Sequence, residues 1–141
     1  MEKLVTPANM IYTLLTLIAF LGGIYVSFVI LLGLAWGRVD FEALSLALFS
    51  NICTLALLVG LVGSFSRRRI FPLFTFVGAA FLPCIAALYL PLLWWRDVKL
   101  QPGGHVPMVW VLLLIVDITT MTSAYQKSKR LRTSEVTPWQ P

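Results

Sequence analysis

The chain has 141 residues, of which 59% are hydrophobic and only 12% charged, and its mean hydropathy is +0.87. A soluble domain carries about 25% charged residues because water-facing surface needs them, so this composition excludes an ordinary soluble domain and predicts an integral membrane protein. The formal net charge of +5 does not point to nucleic acid: that reading needs bases across a folded, water-facing surface, and here they stand at the ends of apolar runs.

A spanning helix needs about 20 predominantly apolar residues. The first such run is Met10 to Trp36. Its length, well beyond the roughly 7–15 apolar residues of a signal peptide, predicts a retained helix even though Gly33 and Ala35 form a loose cleavage pattern. Ala19, Gly23 and Ser27 make a row of small residues that lets another backbone approach, and Gly33 and Gly37 form a GxxxG at the far end. The link "GRVDFE" leads to the second run, Ala43 to Phe65, whose small residues Cys53, Ala56, Gly60 and Ser64 make a second packing row.

After "SRRRI" comes the third run, Phe71 to Trp95. Pro83 and Pro91 interrupt it and free the carbonyls of Ala79 and Ala87. They predict a bend, or in a sharper reading a hinge. The link "RDVKLQPGGH" precedes the fourth run, Val106 to Tyr125. Residues 133–141 are polar and contain proline, and are expected to form a mobile cytoplasmic tail beyond a single domain of residues 1–132.

Links this short force antiparallel neighbours, since none could recross a bilayer. The expected fold is an all-α, up-down bundle of four transmembrane helices. Lys and Arg retained on the cytoplasmic side set its orientation. Lys3, Arg67, Arg68, Arg69, Lys127, Lys129, Arg130 and Arg132 would share one side, while Arg38, Arg96 and Lys99 share the other. Both termini are therefore expected in the cytoplasm. Trp36, Trp94, Trp95 and Trp110 would mark the outer interface, and Tyr12 and Tyr125 the inner one. Neither Asn9 nor Asn51 sits in an Asn-x-Ser/Thr acceptor site, which makes a bacterial cytoplasmic membrane the simplest home.

One acid, Asp117, lies within the runs, about halfway along the fourth. A charged Asp at a helix centre costs about 2.5–3.5 kcal/mol, and no Lys or Arg of the chain lies at that depth. Either the carboxyl is protonated, since desolvation disfavours its charged form, or it faces water, a cation or a partner's base. Thr120 shares its helix face, while Thr16, Thr54 and, further outward, Asn51 are the polar residues that could meet it from the first two helices. The group reads as interhelical glue or as a functional acid.

Other chemistry finds no support in the residues. Cys53 and Cys84 form no CxxC, and the lone histidine, His105, sits in a turn-like loop without ligand-spaced companions. No nucleophile has a base in reach by sequence. No metal, cofactor or enzymatic activity is expected. The basic cluster "KSKRLR" reads first as a topology anchor and second as a segment attracting anionic lipid. The first helix lacks the Glu of small multidrug exporters, and the paired cysteines of four-span disulfide oxidoreductases and mercury carriers are also missing.

The leading expectation is a non-enzymatic accessory or partner-binding subunit of a membrane complex, embedded in the lipid bilayer beside a membrane protein partner. The alternative is a small oligomeric transporter or channel, ion- or proton-coupled, that uses Asp117.

Overall fold

A computed structural model describes residues 6–37, 41–66, 68–95 and 108–136, with side chains except those of 42, 43, 89–95 and 134–136. The described residues form five helices and no strand: α1 (Pro7–Trp36), α2 (Phe41–Val62), α3 (Ile70–Ala79), α4 (Phe81–Trp95) and α5 (Met108–Val136). Lys3, Arg38, Arg96, Lys99 and His105 lie outside the described residues.

Local chemistry sets the helix ends. Thr6 is extended (φ −84°, ψ 146°) and its hydroxyl accepts from the Asn9 N–H, with Pro7 in the first turn. Cap and proline together start α1 three residues before the apolar run begins, because a proline there loses no helical hydrogen bond. At the end of α2 the chain turns through Gly63, whose N–H donates to Val59 at 3.0 Å. A Cβ at Gly63 would overlap the Phe71 ring, so this turn lets the next helix begin close by.

The third apolar run forms two helices. Ala80 interrupts it, its N–H shared between the carbonyls of Phe76 (3.1 Å) and Val77 (3.3 Å). Pro83 has no N–H to give the Ala79 carbonyl, and the helix breaks one residue after that point. Pro91 produces no second interruption, since α4 continues to Trp95. The last helix also departs from expectation. It passes Tyr125 and runs to Val136, four residues into the segment expected as tail; residues 137–141 lie outside the described ones.

Four segments are long and apolar enough to cross a membrane: Pro7–Trp36, Leu44–Val62, Ile70–Leu88 and Met108–Thr133. The third includes the α3–α4 break. At 30 residues, α1 is about 45 Å long, longer than a hydrocarbon core of about 30 Å.

The packing is inverted relative to a soluble bundle. Inside lie small residues and hydroxyls: Ala19, Ala79, Ala124, Thr16, Thr75, Thr120, Ser27, Ser50 and Ser64 are all buried. Outside stand the large side chains, among them Ile11, Leu14, Leu21, Phe28, Leu55, Phe74 and Ile115. Helix α2 packs most extensively on α1 and α3, and α5 lies against α3 and α1. Small interior residues let these backbones approach. A Cβ built on Gly78 would stand 2.7 Å from the Cys53 carbonyl oxygen and 2.9 Å from the Leu57 nitrogen, so α3 touches the α2 main chain there.

Candidate functional site: a buried acid in a hydroxyl-lined bundle

Helix α5 carries Asp117 into the bundle, where the residue is only 6% exposed. It borders a small cavity together with Gly23, Ser50, Thr54 and Gly78, residues of α1, α2 and α3. The cavity holds about 10 Å³, about the least that admits one water molecule. Among the described residues, no side chain or backbone group is hydrogen-bonded to the carboxyl.

The hydroxyls expected near Asp117 are committed elsewhere. Thr16 donates to the Tyr12 carbonyl at 2.8 Å, and Thr54 to the Ser50 carbonyl at 2.9 Å. Thr120 donates to Val116 at 2.7 Å and reaches the Leu15 carbonyl of α1 at 3.4 Å. These are helix back-bonds of the kind short polar side chains make in apolar surroundings. Of the five polar candidates, Asp117, Thr16 and Thr120 are buried, and Thr54 is half-buried beside the same cavity. Asn51 is not brought to the cluster. It is exposed on the outer face of α2, with its amide donating to the Ala47 carbonyl at 2.8 Å.

The two small-residue rows lie at helix contacts. Ala19 is in the core with Leu57 and Ala79. A Cβ on Gly23 would stand 2.9 Å from the Thr54 hydroxyl, and Ser27 and Ser50 share a hydrogen bond of 2.8 Å across α1 and α2. On α2, Ala56 is half-buried, and a Cβ on Gly60 would overlap the Thr75 hydroxyl of α3. Just beyond α2, Ser64 is buried. Sequence spacing missed Gly78, the closest main-chain approach after those rows. Its signal is present, as a lone glycine in the apolar stretch just before the prolines.

Polar contacts also tie the elements together at the end where the basic residues gather. Tyr12 is buried inside the bundle and shares a 2.7 Å hydrogen bond with Thr75 of α3. The Lys127 ammonium lies over the Tyr12 ring, 4.2 Å from its centroid, and donates to the Ser64 carbonyl. Arg68, Lys129, Arg130 and Arg132 are exposed, while Arg69 is half-buried and donates to the Arg132 carbonyl. Arg67 lies outside the described residues. Cys53 is buried and Cys84 exposed, both as free thiols. No three His, Cys, Asp or Glu side chains among the described residues converge to hold a metal.

Comparison with known proteins adds no relative: no family model matches the chain, and neither a curated protein nor a solved structure matches it.

Proposed function

We propose that the chain is a multi-pass protein of a cell membrane, most simply the bacterial cytoplasmic membrane, and serves there as a non-enzymatic, partner-binding subunit of a membrane complex. The inverted packing carries the membrane part of this reading. Among the described residues, large apolar side chains cover the outside of α1, α2, α3 and α5, while the interior holds hydroxyls, alanines and glycines beside a few larger residues such as Val26, Leu57 and Phe81, and only lipid or another membrane protein covers such a surface without cost. Four antiparallel crossings with both termini cytoplasmic follow from the short links and from the bases at residues 67–69 and 127–132. Contacts between Tyr12, Ser64, Thr75 and Lys127 fit that arrangement, since they bring residues from four crossings to one end.

The subunit reading draws on how few of the described residues lie outside the helices and on the closed surroundings of Asp117. A cavity of about 10 Å³ offers no route for a solute. With its carboxyl inside its own bundle, Asp117 does not face a partner's base. Partner contacts in this reading run through the apolar outer faces. The second reading, a small oligomeric ion- or proton-coupled transporter or channel, is favoured by one observation: the acid borders a cavity that Ser50 and Thr54 also line. A proton-coupled carrier would lose coupling in Asp117→Asn, whereas a subunit would not.

Topology is tested by cysteine labelling with a membrane-impermeant maleimide, in a background carrying Cys53→Ala and Cys84→Ala. His105→Cys is expected to react in intact cells, and Arg68→Cys and Lys129→Cys only after permeabilisation. Reaction of Lys129→Cys in intact cells would place the C-terminal end outside and reverse the orientation.

A further inference from the structure

A cleft of about 540 Å³ lies at the basic end of the bundle, between the start of α1, the turn that follows α2 and the later turns of α5. Its lining combines polar Lys127, Arg130, Gln126 and Asn9 with apolar Ile11, Phe65 and Leu131. Ser64 is 1% exposed, and its hydroxyl is buried with no partner among the described residues. Lys127 carries three N–H groups, and its contacts are the Ser64 carbonyl and the Tyr12 ring. No acidic side chain among the described residues pairs with Lys127 or Arg130.

We propose that this cleft binds the headgroup of an anionic phospholipid. A phosphodiester offers oxygens to Lys127 and Arg130, and charge-assisted bonds to phosphate are the strong kind. An acyl chain then leaves along Ile11 and Phe65, which are exposed on the outer face. Basic pockets between transmembrane helices on the cytoplasmic side are suited to such headgroups. The cleft differs from a diffuse basic tail because Lys129 and Arg132, on the same helix, do not line it.

The proposal rests on the membrane reading, and the two fail differently. A chain released from membranes by alkaline carbonate sinks both. A chain that stays in the membrane but shows no headgroup preference sinks this one alone. The full-length protein, stripped of lipid in detergent, is titrated with dihexanoyl phosphatidylglycerol, dihexanoyl phosphatidylcholine or inorganic phosphate, and bound ligand is counted by native mass spectrometry. The glycerol lipid is expected to bind about tenfold more tightly than the choline lipid, and Arg130→Gln to weaken it about fivefold. Arg130 is exposed, so its replacement is expected to leave the fold intact, which an unchanged thermal midpoint checks. Lys129→Gln, outside the cleft, should leave binding unchanged. Equal binding of both lipids, equal loss in the two variants, or inorganic phosphate binding as tightly as the glycerol lipid would each overturn the assignment.

Discussion

Gly78→Ala is expected to destabilise the protein by about 2 kcal/mol, although alanine is the better helix former by about 1 kcal/mol. The added methyl group would stand 2.7 Å from the Cys53 carbonyl oxygen and 2.9 Å from the Leu57 nitrogen. Both are main-chain atoms inside α2 and cannot rotate away as a side chain would. Relief therefore requires α2 and α3 to separate, which breaks one of the most extensive contacts in the bundle. In lipid this loss is not offset by other apolar burial, because helices associate there through close packing. Gly33→Ala is the matched control. Gly33 meets nothing within 4 Å, so that change should be neutral or slightly stabilising. The thermal midpoint in detergent checks both, and equal midpoints for the two variants would remove the close approach from the account.

Asp117→Asn is expected to raise the same midpoint, by the equivalent of about 1–3 kcal/mol. The carboxyl is buried, and no described residue is hydrogen-bonded to it. An amide of the same shape cannot ionise, so the variant is relieved of the cost of a charged acid at a helix centre. Nothing is given up in exchange if the carboxyl makes no bond of its own. A drop in midpoint would instead mean that Asp117 holds the helices together through a hydrogen bond, as glue. A gain in stability would leave the acid without a structural reason to be there, and direct attention to its chemistry.

The four apolar segments and the helical character of the chain are legible from run length and charge placement alone. Helix ends are less so. Hydropathy marks where apolar residues stop, not where hydrogen bonding stops, and Lys and Arg are good helix formers. For that reason α5 continues through "KSKRLR" to Val136. The start of α1 was written in "TP" at Thr6 and Pro7, a cap signal that lies outside the apolar run. Pro83 marks the bend in the third segment, and the structure sets the break at Ala80.

The candidate site was legible in part for a different reason. A soluble helix declares its inward face through its apolar stripe, but a helix surrounded by lipid is apolar all round. Spacing put Thr54 and Asn51 on one stripe; in the structure Thr54 borders the Asp117 cavity and Asn51 turns outward to bond the Ala47 carbonyl. Small residues are better guides than polar ones here, since only they permit close approach. Gly23 and Gly60 accordingly lie against Thr54 and Thr75.

The most direct measurement of the central claim is the mass of the complex that the tagged protein forms when extracted from its native membrane in mild detergent. A discrete species containing a second, different protein in fixed stoichiometry is expected. The same species should be recovered with Asp117→Asn, because that side chain faces its own bundle. Recovery of monomers or homo-oligomers alone would contradict the subunit reading and favour the transporter, whose reconstituted flux should then depend on pH in the wild type and lose that dependence in Asp117→Asn.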